Sequence, residues 1–178
     1  MNIQYLRASS DDDLRQILVL QQQNSIKAVA AADKEKEGFV TVSHNFETIK
    51  KMNLSCPHII AKDGDILVGY ALVMLKEFRD EISVLSAMFE TATLVLGDKN
   101  FVAMGQVCIA KEYRGKGFFR GMYQFYKEEL QETYDCLLTE VATKNQRSLK
   151  AHLSIGFKIL KTQVSNGISW ELITWDWR

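Results

Sequence analysis

Apolar residues in this chain alternate between a period of two and a helical period, and the switches predict its elements. Ile3–Arg7 reads as a short strand. Ser9-Ser10-Asp11 then offers N-cap chemistry, and Leu14, Ile17, Leu18 and Gln21 keep helical spacing to about Asn24 or beyond. Lys34–Gly38 is a polar break before the short apolar run Gly38–Val42, and Ser43 or Asn45 can cap a second helix carrying Phe46, Ile49 and Met52. Cys56–Ala61 and Ile66–Leu75 flank Asp63-Gly64-Asp65, a hairpin signal with glycine where φ turns positive.

In the second half, Ile82, Leu85, Met88 and Phe89 fall at helical offsets, predicting a helix over Glu81–Thr93 between two strands. Strand Val102–Ile109, helix Phe118–Glu132, strand Cys136–Ala142 and helix Asn145–Ile155 follow. Phe157–Gln163 and Ser169–Trp177 end the chain as a β-pair turning at Asn166-Gly167. The order β-α-α-β-β-(α)-β-α-β-α-β-β predicts an α/β (mixed α+β) fold, a sheet of about seven strands with helices on both faces. Along the last strand Trp170, Leu172 and Thr174 alternate with Ile173, Trp175 and Trp177, putting large apolar groups on both faces. Taken as a sheet edge, that strand needs a cover, and a homodimer formed around it is one expectation.

Composition narrows the class. The length of 178 residues suits one domain spanning 1–178, and 22 basic residues balance 22 acidic ones, so charge points to neither nucleic acid nor an anionic membrane. Cys56, Cys108 and Cys136 are scattered without metal-ligand spacing, as expected of core thiols in a reducing cytoplasm, and no metal is expected. No apolar run approaches membrane-spanning length, and the N-terminus has no secretory apolar region.

The candidate chemistry gathers at residues 107–121. Val107-Cys108-Ile109 leads through a charged turn into Arg114-Gly115-Lys116-Gly117 and then Phe118, Phe119 and Arg120 at a helix start. Two glycines at a strand-to-helix junction leave backbone N–H groups accessible, and the helix N-terminus favours a phosphate or pyrophosphate. Neither a Walker loop nor a dinucleotide-binding glycine fingerprint is present. On helix 145–155, Asn145, Ser148 and His152 fall within an arc of roughly 60° that faces the protein, while Gln146, Arg147, Lys150 and Ser154 face water. The inward polar groups either bond to neighbouring backbone or line a cleft.

This pattern resembles the GNAT superfamily of acyl-CoA-dependent N-acetyltransferases, through Arg114-Gly-x-Gly117 after the strand and Asn145-x-x-Ser148 followed by Gly156-Phe157. Phe119 stands where the family usually has Gly or Ala, and the helix between the third and fourth strands is an insertion relative to simple members. The resemblance implies acetyl-CoA as cofactor, its pyrophosphate held by Arg114–Arg120 and its pantetheine arm by Val107–Ile109, Asn145 and Ser148. It also implies direct transfer to an amine in a ternary complex. His152 occupies the position of the family's usual tyrosine acid, and histidine titrates near neutrality. Glu140, late on the strand leading to Asn145, is the candidate base, with an exposed strand residue or ion-pair partner as the alternative. Tyr113 and Tyr123 are further candidate hydroxyls, and Cys108 reads as a packed thiol. The implied acceptor pocket involves Phe39, Thr41, Met88 and Phe89, for a small amine, an amino-acid derivative or a peptide N-terminus. A non-catalytic acyl-CoA sensor is the competing reading.

Overall fold

The computed structural model describes residues 1–25, 39–80 and 83–178. The expected break at Lys34–Gly38 and the expected helix start at Glu81 and Ile82 lie outside them. The elements follow the predicted order: β1 (Ile3–Arg7), α1 (Asp11–Gln23), α2 (Phe46–Ser55), β2 (Ile59–Asp63), β3 (Ile66–Met74), α3 (Ser83–Leu96), β4 (Phe101–Ile109), α4 (Phe118–Leu130), β5 (Cys136–Ala142), α5 (Gln146–Ser154), β6 (Lys158–Ser165) and β7 (Ile168–Asp176).

Local signals set the boundaries. Ser10 caps α1 in a capping box: its hydroxyl accepts from Asp13 N at 3.1 Å, and the Asp13 carboxylate accepts from Ser10 N at 3.0 Å. Asn45 caps α2, accepting from Thr48 N at 2.9 Å. Asn166 and Gly167, with φ of 51° and 74°, make the last hairpin turn, and Gly64 at φ 61° makes the β2–β3 turn.

One seven-stranded sheet runs in the order β1-β2-β3-β4-β5-β7-β6. All neighbours are antiparallel except β4 and β5. Central β3, apolar over almost its whole length, is buried on both faces. One apolar cluster joins α1, α2 and α3 to the sheet through Leu14, Ile17, Ile49, Met88 and Phe89. The other lies under α4 and α5, through Met122, Tyr123, Tyr126 and Leu149. His58 belongs to the scaffold, donating from Nε2 to Ile49 O at 3.0 Å and accepting from Val73 N at 3.1 Å.

The last strand is not an edge. β7 inserts between β5 and β6, pairing with both, so Trp170, Leu172 and Ile173 are buried within the chain itself. The physical premise for a dimer around that strand is therefore corrected. The edge on that side is β6, where Lys158, Lys161 and Thr162 are exposed together with Ile159 and Val164. Among the described residues no helix is long and apolar enough to cross a membrane.

Candidate active site

Parallel strands β4 and β5 pair only from Phe101↔Cys136 to Ala103↔Leu138. Beyond that rung, the Thr139 hydroxyl rather than a backbone amide donates to Met104 O, at 2.9 Å. On its other side β4 bulges against β3, where the register shifts between Ala71↔Val107 and Val73↔Met104. The bulge releases β4 from β5, and the two strands splay towards their C-terminal ends.

The gap holds a cavity of about 400 Å³ that shares Phe39, Val40, Val107, Asn145 and Ser148 as walls with an adjoining inner chamber of about 80 Å³. Ala110 N bonds back to Val68 O on β3 at 2.8 Å. Alternation along an antiparallel ladder then turns the backbone groups of Val107 and Ile109 towards the cavity. Cys108 lies between them as a buried thiol, pushed up to about 12 by desolvation. It is un-ionised.

At the outer end, Gly117 is the N-cap of α4, with φ 85° and no side-chain cap, after Gly115 at φ 73°. A Cβ built on either glycine would meet no atom within 4 Å, so both face open space. Arg114 donates from Nε to Ile109 O at 3.0 Å and from its guanidinium to Asn24 Oδ1. Arg120 donates to Ser154 O at 3.0 Å. Lys116 and Phe118, expected at the cofactor site, direct their side chains to Tyr113 instead, with the ammonium 5.8 Å and the phenyl centroid 6.0 Å from its ring. Conversely, Arg147 and Ser154, expected to face water, line the cavity together with Asn24. The N-terminal tilt of helical side chains brings these two back over the mouth.

Segment 39–42 borders both chambers and is held from three sides. Asn24 O accepts from Val40 N at 3.0 Å, Asn145 Nδ2 donates to Phe39 O at 3.1 Å, and Gln106 Nε2 donates to Val42 O at 2.6 Å. The Gln106 amide is itself oriented by the buried Tyr70 hydroxyl at 2.6 Å. Sequence reasoning missed Asn24, Tyr70 and Gln106; a lone polar residue in an apolar strand was the one available signal for Gln106.

The inner chamber is walled by Phe39, Thr41, Met88, Gln106, Glu140 and Trp170, among others. Phe89 is not part of it: one position beyond Met88, about 100° around α3, it packs into the core 6.2 Å from the Phe101 ring. Desolvation pushes the Glu140 carboxyl up to about 7, against an opposing hydrogen bond from Gln163.

His152 reaches the wall of that chamber but is wholly buried. Its Nδ1 lies 2.8 Å from Ser148 O; a carbonyl only accepts, so Nδ1 carries the proton. Nε2 is then the acceptor for the Tyr123 hydroxyl at 2.6 Å. Burial holds the imidazole pKa at about 4. The expectation of a histidine titrating near neutrality in the cleft is corrected by this desolvation. Of the other candidate hydroxyls, Tyr123 is spent on His152, and Tyr113 donates to Asp63 at 3.0 Å. Phe119 turns its ring into the same cluster, 4.8 Å from Tyr123 and 5.1 Å from His152.

The fold is shared with solved structures of low sequence identity. The chain superposes with TM-score 0.71 at 15% identity on a chain of the NatC complex bound to Gag peptide and CoA, covering 100% of both chains. It matches the ribosomal-protein-S18-alanine N-acetyltransferase from Escherichia coli with TM-score 0.65 at 12% identity, over 98% of this chain and 94% of that one. YncA, a putative acetyltransferase from Salmonella typhimurium with its cofactor acetyl-CoA, gives 0.66 at 14% identity, over 100% and 95%. No curated protein has a significantly similar sequence. The acetyltransferase (GNAT) family model matches residues 14–157, covering most of α1, the splayed strands and the loop of left-handed glycines, and the chain belongs to the GNAT family of acetyltransferases.

Proposed function

We propose that the protein binds acetyl-CoA in the cleft between β4 and β5 and transfers its acetyl group directly to an amine, with Glu140 as the base. The observation that carries this reading is a cavity that opens at an uncapped helix N-terminus, with an adjoining inner chamber walled by a half-buried carboxyl.

The residues present fit such a ligand. Open space at Gly115 and Gly117 admits a pyrophosphate to the main chain, where the first-turn N–H groups of α4 and the side chains of Arg120 and Arg147 can meet it. The cleft-facing backbone of Val107 and Ile109 can pair with the amides of an extended arm, as a further strand would. When bound, acetyl-CoA supplies the acetyl group as a thioester.

Glu140 then meets the acceptor. An alkyl ammonium with a pKa near that of lysine, about 10.4, is not a nucleophile until it loses a proton. A carboxyl poised at about 7 is partly ionised at neutral pH and can accept that proton. No covalent enzyme intermediate is required, in keeping with the un-ionised Cys108. The acceptor is a small amine or a peptide N-terminus; one structural relative, a chain of the NatC complex, is seen bound to Gag peptide and CoA. Unpaired thiols at Cys56, Cys108 and Cys136 support a cytoplasmic setting.

Calorimetric titration with acetyl-CoA tests the first half, and absence of binding at millimolar ligand refutes it. An amine and peptide screen that detects released thiol tests the second. Acetyl-CoA binding without turnover of any acceptor would instead favour the sensor.

A further inference from the structure

Glu140 is tied to two residues that belong to neither its strand nor the family's motifs. Its side chain lies on the α1–α3 face of the sheet, with Leu172 of β7 opposite it in register. One strand further out, Gln163 of β6 sits across from Trp170, on that same face. The Gln163 amide reaches over β7 and donates from Nε2 to Oε1 of Glu140. At its other end, Gln163 Oε1 accepts from the Thr91 hydroxyl of α3 at 2.7 Å. The carboxylate can only accept, so the NH2 end of the amide faces it, and the amide oxygen is left to accept from the Thr91 hydroxyl. The reversed amide would set oxygen against oxygen.

Among the described residues, the remaining surroundings of the carboxyl offer it no cation. Gln106 of β4, Trp170 of β7, Met88 of α3 and His152 of α5 share its chamber, and the described lining includes no lysine or arginine. His152 is neutral at physiological pH. Glu90 is exposed on α3, and Glu171 lies on the opposite face of β7. Among the described residues, Gln163 is thus the polar side chain shown donating to Glu140.

We infer that Gln163 and Thr91 are positioning residues for Glu140: Thr91 anchors the oxygen end of the amide, and the amide aims and holds the carboxylate. The catalytic consequence rests on the base assigned under the proposed function; the electrostatic one does not, and it can be read in the unliganded protein. A hydrogen bond to the charged form favours that form, so losing it raises the titration midpoint.

The test is a carbon-13 NMR titration of glutamate-labelled protein, in which the carboxyl signal missing from Glu140→Gln identifies the group. Gln163→Met removes the donor at nearly constant volume, and the Glu140 midpoint is expected to rise by about one pH unit, a ten-fold change in proton affinity. Thr91→Val is expected to raise it by less, and Thr91→Ser to restore it. If Gln163→Met does not fold, Gln163→Asn, too short to reach, takes its place. An unmoved midpoint in the Gln163 variant, or Thr91→Ser behaving as Thr91→Val, overturns the inference. Where an acceptor is available, the acid limb of kcat/KM moves with the NMR midpoint. A shifted midpoint with full turnover by Glu140→Gln would support the relay and remove Glu140 as base.

Discussion

The Tyr123 hydroxyl donates to Nε2 of His152 across 2.6 Å, and neither residue exposes any surface. Both imidazole nitrogens are thereby satisfied inside an aromatic shell of Phe119, Phe157 and Tyr123. A residue at the position of the family's usual acid has become a neutral bracket between α4 and α5. Tyr123→Phe leaves a buried acceptor without a partner, a cost of about 1–3 kcal/mol. Chemical denaturation of the two proteins measures it.

The same burial makes stability fall on acidification. His152 and His58 have folded pKa values of about 4, below the ordinary imidazole value of 6.5. Between those values the unfolded chain binds more protons, so stability rises with pH there and is lost as pH falls towards 4. A shift of this size corresponds to up to about 3 kcal/mol per histidine. The raised carboxyl of Glu140 opposes this between 4.5 and about 7, so the measurement belongs in the Glu140→Gln background. Denaturation midpoints that are flat from pH 6.5 to 4 in that background would contradict the buried neutral histidines.

Glu140→Gln is expected to lower kcat by about 10²–10⁴-fold, the range of a lost general base, with acetyl-CoA affinity unchanged. In the unsubstituted enzyme, kcat/KM is expected to rise with pH through an apparent pKa of about 7, because the base must be ionised to act. Stopped acetylation assays across pH 5–9 with one acceptor check both.

Gly117→Asp should abolish acetyl-CoA binding through negative charge at the start of α4. Gly117→Asn carries nearly the same shape in the same left-handed backbone, φ 85°, without the charge. Binding is expected to weaken less in Asn than in Asp, while both fold, since no neighbour lies within 4 Å of the new Cβ. Equal affinities in calorimetry for glycine and aspartate would remove this loop from the site.

Phe119→Ala restores a residue the family usually carries there and should unroof His152. The ring lies 5.1 Å from the imidazole. Its removal admits water, and the His152 pKa is expected to climb from about 4 towards 6.5, visible as a titrating imidazole proton resonance. A loss of about 1–3 kcal/mol of stability should accompany it, because the ring is half-buried.

Much of this protein was legible along the chain because it is locally encoded. Apolar periodicity marked the order of strands and helices, Ser9-Ser10-Asp11 and Ser43 or Asn45 offered caps of which Ser10 and Asn45 serve, and Asn166-Gly167 called for a hairpin. The loop at Arg114–Gly117 was visible because only glycine takes its left-handed backbone without strain. Tertiary structure decided the rest. No local pattern states that β7 pairs between β5 and β6, since strand partners are chosen across the whole sheet, and this choice buried Trp170 without a second subunit. A rotation of one residue sent Phe89 to the core and left Met88 at the chamber. Whether His152 and Glu140 titrate low or high depends on the water that surrounding elements exclude, and Gln163 reaches Glu140 from 23 residues away while Thr91, 72 residues from Gln163, holds its amide. Desolvation and long-range hydrogen bonds are properties of the packed molecule, so the chemistry of the site was settled only there.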